Sequence, residues 1–211
     1  MIEACEVAIK PYYQDDAVTI YHGDCREILP TLPKHDLLLT DPPYEIEGTW
    51  DGGNSHGWGK LSAEAKSWDV RPSWFCDLVP GLAKELIIWG GQYFPLEPSG
   101  SWLIWDKVVR KFSSGHAELA WTNLGMPVRA FNCATCLLAN EGKSHPTQKP
   151  LALFRWCLSF APDAVTILDL FAGSCTTGVA AKLEGRKATL IEMEERYCEI
   201  GAKRLSQGVL F

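Results

Sequence analysis

The chain has 211 residues, 46% of them apolar and 22% charged, close to the ordinary globular average, which suits one globular domain with a single core. Its 20 basic and 26 acidic residues leave a net charge of −6, so the bulk charge does not advertise a nucleic-acid partner, although a local basic patch can exist within an acidic whole. No uninterrupted run of eighteen apolar residues occurs, so no membrane partner is expected. The opening residues, Met1-Ile2-Glu3-Ala4-Cys5-Glu6, are acidic and lack an apolar signal region, and a soluble cytoplasmic protein is expected.

In chain order, short β-branched or continuous apolar runs predict strands at Val18–Tyr21, Asp36–Thr40, Glu85–Trp89, Trp102–Trp105, Leu119–Trp121, Val165–Leu170 and Lys187–Ile191. Runs of this kind bounded by Gly and Pro are read as strands buried on both faces, as in a parallel sheet covered by helices. Helical spacing marks Leu151–Phe160, Thr176–Leu183 and Glu194–Leu205. The alternation predicts an open α/β fold with a mostly parallel central sheet flanked by helices, and residues 1–211 as one domain. Residues 45–74, with Gly48, Gly52, Gly53, Gly57, Gly59 and Trp50, Trp58 and Trp68, are too long for an ordinary connection and are expected to be a mobile loop. Its tryptophans either stack on a base or pack the loop down. Eight cysteines are scattered, and Cys133 and Cys136 form the sole C-x-x-C pair, so reduced buried thiols and no metal site are expected.

Four segments carry chemistry. Asp41-Pro42-Pro43-Tyr44 closes the apolar run from Leu37, at the carboxyl end of a strand, where open α/β sheets bind ligands. Asp41 can accept a hydrogen bond from an amino group. The prolines stiffen the backbone and present carbonyl oxygens without N–H donors of their own, and Tyr44 offers a flat face to a base. A strand-capping turn is the competing reading. Asp169-Leu170-Phe171-Ala172-Gly173-Ser174-Cys175-Thr176-Thr177-Gly178 is a strand, a small-residue loop and a helix start, the arrangement by which α/β folds approach a nucleotide-like cofactor. Glu192, followed by Met193, closes the next strand and can accept from ribose hydroxyls. The dinucleotide and P-loop glycine patterns are absent, which disfavours NAD and ATP. Gly23-Asp24-Cys25 is a weaker signal, read either as an acceptor for an adenine amino group or as a turn. In His145-Pro146-Thr147-Gln148-Lys149-Pro150, before a helix, Thr147 and Lys149 either hold a carboxylate or belong to a polar linker.

Asp-Pro-Pro-Tyr, His-Pro-Thr-Gln-Lys-Pro and Asp-Leu-Phe-Ala-Gly-Ser, in that order, resemble the β-class amino-methyltransferases of DNA across residues 17 to 205. With Trp105-Asp106-Lys107 and Ile191-Glu192 followed by Tyr197-Cys198-Glu199-Ile200, the chain is also similar to small phage or prophage-type adenine methylases. The resemblance implies a Rossmann-like S-adenosylmethionine-dependent fold with circularly permuted motif order, the catalytic motif preceding the cofactor motif. It implies a cofactor site of Asp24, Cys25, Asp41, Thr147, Lys149, Asp169, Phe171, Ala172, Gly173, Ser174, Cys175, Thr176, Thr177, Glu192 and Met193. Asp41, Pro42, Pro43 and Tyr44 would be catalytic and double-stranded DNA the substrate, with adenine N6 favoured over cytosine N4 because the motif opens with Asp. RNA methylation and a weakly active binding protein are the other readings. Cys175 stands where the family usually has glycine and is expected to crowd the methionine moiety. Lys107, Arg110 and Lys111, near a Ser-Ser-Gly turn and His116, are expected at DNA phosphates, in a short target-recognition segment near 107–145. β-class relatives often dimerise, so a homodimer that adds to recognition is part of the expectation.

Overall fold

In the computed structural model, residues 9–44, 70–108, 115–134 and 148–207 are described. The run predicted at Asp36–Thr40 forms strand β3, His35–Thr40, with Leu37, Leu38 and Leu39 fully buried. Alternate side chains of a strand point to opposite faces, and the leucines divide accordingly. Leu37 and Leu39 join one apolar cluster with Leu153, Cys157, Val179 and Leu205, and Leu38 joins another with Ile28, Phe75 and Val79. The first cluster contains helices α3 (Leu151–Leu158), α4 (Thr176–Leu183) and α5 (Glu195–Ser206). The second contains the single turns α1 (Cys25–Ile28) and α2 (Phe75–Leu78). Helices on both faces explain why this strand is apolar throughout rather than alternating.

The remaining strands are β1 Tyr13–Gln14, β2 Val18–His22, β4 Ala83–Trp89, β5 Trp102–Asp106, β6 Ala117–Thr122, β7 Arg129–Asn132, β8 Thr166–Asp169 and β9 Lys187–Glu192. Among the described residues they form one sheet in the order β1-β2-β9-β8-β3-β4-β6-β5-β7. β2, β9, β8, β3 and β4 are mutually parallel, and β6 runs antiparallel to both β4 and β5. Reversal of β6 brings its first residues to the edge where the parallel strands end. The mostly parallel α/β fold read from the sequence is therefore present, with β3, which leads into Asp41-Pro42-Pro43-Tyr44, preceding β8, which leads into the Phe171–Gly173 loop, in the chain and lying beside it in the sheet.

From β3 the chain moves outward to β4, and from β8 it moves the opposite way to β9, so β3 and β8 flank the point where ligands settle in such sheets. Side chains pin this pair at both ends. The Asp36 carboxylate accepts from the N–H groups of Val165 and Thr166 (2.9 and 2.8 Å) and from the Thr166 hydroxyl (2.8 Å). At the far end the Thr40 hydroxyl donates to Asp169 at 2.8 Å. The described cysteines are free thiols, with Cys25, Cys133, Cys157, Cys175 and Cys198 buried. Among the described residues no helix is long and apolar enough to cross a membrane.

Candidate active site

The carboxyl ends of β2, β9, β8 and β3 surround a cleft of about 480 Å³. Asp41, Pro42, Pro43 and Tyr44 line it from the end of β3. Asp169, Phe171, Ala172, Gly173, Ser174, Thr176 and Thr177 line it from the β8–α4 loop, Glu192 and Met193 from the end of β9, Asp24 and Cys25 after β2, and Lys149 before α3. Segments far apart in the chain thus meet at one place.

Each wall has a local cause. Asp169 is buried, and its carboxylate accepts from the hydroxyls of Thr40 (2.8 Å) and Thr177 (2.5 Å) and from the Phe171 N–H (3.2 Å). Burial pushes this carboxyl up to about 6, although the three donors favour its charged form. It shapes the loop from beneath. Gly173, at φ +50°, donates its N–H to the Glu192 carboxylate at 2.7 Å, and Glu194 N–H donates to the other oxygen at 2.8 Å. Burial raises the Glu192 carboxyl above its usual range against these two donors. Asp24 caps α1 by accepting from Arg26 N–H at 2.9 Å, and the Arg26 guanidinium also donates to it, at 3.0 Å from Nε. That guanidinium lies 5.2 Å from the centre of the Trp74 ring, which stacks on Phe171 at 6.2 Å. Arg26 and Trp74 were missed by sequence reasoning. Trp74 was legible only as the last residue of the segment 45–74, of which 45–69 lie outside the described residues.

Tyr44 is held differently. Its ring stacks on Tyr93, with centroids 4.7 Å apart and planes 10° from parallel. Gly90, at φ +68°, makes room for it, since a Cβ there would lie 2.4 Å from Tyr44 Cδ1. Burial keeps the Tyr44 hydroxyl protonated, well above the usual phenol range.

Lys149 is the centre of the wall that carries Asp41. Its buried ammonium pairs with the Asp41 carboxylate and, at 3.1 Å, with Glu118. Glu118 in turn pairs with Lys107 at 2.7 Å. Burial opposes the charge on Lys149, but Asp41 and Glu118 more than compensate and raise its pKa. Burial likewise opposes the charge on Glu118, and Lys149 and Lys107 bring its carboxyl below the usual value. Glu118 was also missed, because a single acidic residue in a strand carries no sequence pattern.

Two expectations are corrected. Lys107 does not stand out as a phosphate contact: it is buried, with its ammonium on Glu118 and 5.5 Å from the Trp105 ring centre. Cys175 does not line the cleft and crowds nothing there. It adopts the left-handed conformation (φ +62°) that starts α4, and this turns its side chain into the core, against Gly201 of α5. Thr147, Arg110 and Lys111 lie outside the described residues.

A family model described as "DNA methylase" matches residues 104–203. Type II methyltransferase M2.LlaDCHI of Lactococcus lactis subsp. cremoris is 28% identical, with 96% of this chain and 94% of that protein covered. Type II methyltransferase M2.DpnII of Streptococcus pneumoniae is 27% identical, with 93% and 92% covered. Along nearly its whole length the chain is thus similar to type II DNA methyltransferases.

Solved structures agree at the level of the fold. The M1.HpyAVI–SAM complex has a TM-score of 0.58 at 23% identity and covers 89% of this chain and 100% of that one. The cytosine-N4-specific PvuII DNA methyltransferase has a TM-score of 0.63 at 19% identity and covers 97% and 92%. The chain therefore shares its fold with these two methyltransferases.

Proposed function

We propose that the chain transfers a methyl group from S-adenosylmethionine to the exocyclic amino group of a base in double-stranded DNA, with adenine N6 as the target. The observation that carries this reading is the convergence, in one cleft, of the Asp41–Tyr44 wall with the Phe171–Gly173 loop and Glu192. The names of the relatives, all methyltransferases, support it.

The residues present fit the cofactor. The cleft volume is within the range of small-molecule sites, and its donor and acceptor set matches the groups of an adenosyl ligand. Glu192 would accept from the ribose hydroxyls, and each of its oxygens has a second lone pair beyond the backbone N–H it now holds. Phe171 and Trp74, both lining the cleft, would hold the adenine by their aromatic side chains, and Asp24 would accept from its amino group once Arg26 yields. When bound, S-adenosylmethionine supplies an electrophilic methyl group on a sulfonium centre.

The amino nitrogen of a base is inaccessible to in-line attack while stacked, so the base must leave the duplex. Tyr44 would stack on it, braced from behind by Tyr93. The Asp41 carboxylate and the Pro42 carbonyl would accept the two amino hydrogens, drawing the nitrogen lone pair out of conjugation and aiming it. Lys149 holds Asp41 in place. Catalysis of this kind is positioning and electrostatics: no strong base is needed before transfer, because the nitrogen becomes cationic and acidic as it gains the methyl, and its surplus proton would then pass to the Asp41 carboxylate and on to solvent. Target-sequence recognition is assigned to the segment 107–145, aided by a second subunit in a homodimer.

Incubation with methyl-labelled S-adenosylmethionine and unmethylated DNA, then digestion and mass analysis of nucleosides, tests the reading. Labelled N6-methyladenine is expected from the parent chain, and none from Asp41→Ala, which should still bind cofactor. Labelled N4-methylcytosine would refute the choice of base. No labelled nucleoside at all would refute the activity.

A further inference from the structure

Glu118 reaches the catalytic wall only through β6. Because β6 runs antiparallel beside β4, its second residue lies at the edge where β3 ends and Asp41 begins. There the four charges alternate, Asp41, Lys149, Glu118, Lys107, and consecutive members are in ion-pair contact. Ions are costly to bury, and replacing such a set by apolar residues is often neutral or stabilising, so fold stability alone does not account for it.

We propose, resting on the methyl-transfer reading above, that Glu118 is a positioning residue that sets how strongly Asp41 accepts the amino hydrogen of the base. The ammonium of Lys149 has three donors, and Glu118 takes part of them and part of its charge. Without Glu118 the cation is drawn wholly to Asp41, whose carboxylate becomes a weaker acceptor. The site would also gain one net positive charge just where the amino nitrogen becomes positive as it is methylated. Bound S-adenosylmethionine would bring its own positive charge to the ground state as well, whereas charge at the amino nitrogen arises only during transfer, so an added cation penalises turnover more than cofactor binding. Glu118 touches neither cofactor nor base in this scheme and acts through Lys149 on Asp41.

The test is Glu118→Gln, nearly isosteric, in single-turnover methylation of DNA alongside calorimetric binding of S-adenosylmethionine. Turnover is expected to fall about tenfold or more, equivalent to roughly 1.4 kcal/mol in the barrier, with cofactor Kd and DNA KM within about threefold of the parent. Glu118→Asp, which keeps the charge and withdraws it by one methylene, is expected to recover part of the lost turnover. In an Asp41→Asn background, which retains less of the acceptor, Glu118→Gln should cost no further turnover. Unchanged turnover of Glu118→Gln, or a loss that adds fully to that of Asp41→Asn, overturns the proposal. A parallel loss of cofactor binding and thermal midpoint would show a merely structural role and overturns it too. Should the Gln variant fail to fold, the same cycle with Glu118→Asp decides, its smaller loss of turnover having to vanish in the Asp41→Asn background. Failure of the underlying activity is distinguishable, since it would appear as an inactive parent chain.

Discussion

Replacing Gly201 with Ala should destabilise the protein, and replacing Cys175 with Gly in the same chain should restore it. A Cβ at position 201 would lie 2.2 Å from Cys175 Sγ, 3.0 Å from its Cβ and 3.4 Å from Ile20 Cδ1. Neither neighbour can move freely. The Cys175 backbone is tied by its N–H to the Ala172 carbonyl at 2.7 Å and starts α4, and Ile20 is buried in β2. Overpacking a rigid core costs about 1–3 kcal/mol, and a contact this short belongs at the top of that range. The gain in helix propensity from Gly to Ala, about 1 kcal/mol, offsets part. The net loss for Gly201→Ala is therefore about 2 kcal/mol, or roughly 4–8 °C in Tm for a chain of this size. Cys175→Gly alone loses a small buried side chain but relieves a left-handed conformation costing about 1–2 kcal/mol, so it should be near neutral. In the double variant the new methyl takes the space vacated by the thiol, and stability should return to within about 1 kcal/mol of the parent. Urea titration of all four chains, with thermal scans as a check, measures the coupling. Additive losses would refute the inward placement of Cys175 and return its side chain to the cofactor loop's outer face.

Gly90→Ala should lower methyl transfer while sparing cofactor binding, because the added Cβ meets the Tyr44 ring and strains a backbone at φ +68°; single-turnover rates beside cofactor Kd check this. Glu192→Gln should weaken cofactor binding about 10- to 100-fold, the effect of a lost hydrogen bond to a charged group. Because the Glu192 carboxyl is raised by burial, the parent's affinity should decline as pH falls while still above the ordinary 4.5, and the Gln variant should lack that decline in calorimetry. Asp15→Asn should cost about 1–2 kcal/mol at neutral pH, discounted for partial exposure. Burial opposes the Asp15 charge, but Lys182, the Val18 and Ala17 N–H groups and Tyr13 outweigh it and hold the carboxyl at about 2, below the usual 3.8. That stability is present above pH 4 and lost as pH falls toward 2, so the gap between the two chains in denaturant titrations should close over that window.

Much of the molecule was readable from local pattern. Unbroken apolar runs such as Leu37–Leu39 need helices on both faces to bury them, so a parallel sheet followed from composition alone. The walls of the cleft were readable as segments, since Asp-Pro-Pro-Tyr and the small-residue loop each follow a strand end, but each alone also fitted a turn, and their order in the chain is what pointed to a site. The short strands β1 and β7 were not: β1 has two residues, and Arg129-Ala130-Phe131-Asn132 lacks the apolar run that marked the equally short β8.

What the sequence by itself determined is the set of walls: Asp41–Tyr44, Asp169–Thr177, Asp24 and Glu192, each a contiguous segment with its own chemistry. Only the tertiary structure decided how those walls are charged and which side chains face them. The direction of β6 is a pairing outcome, and it delivers Glu118 to Lys149 and takes Lys107 away from solvent. The left-handed turn at Cys175 depends on α5 offering a glycine opposite it, twenty-six residues further along. Side-chain direction and ion pairing depend on neighbours distant in the chain, and no local pattern encodes them.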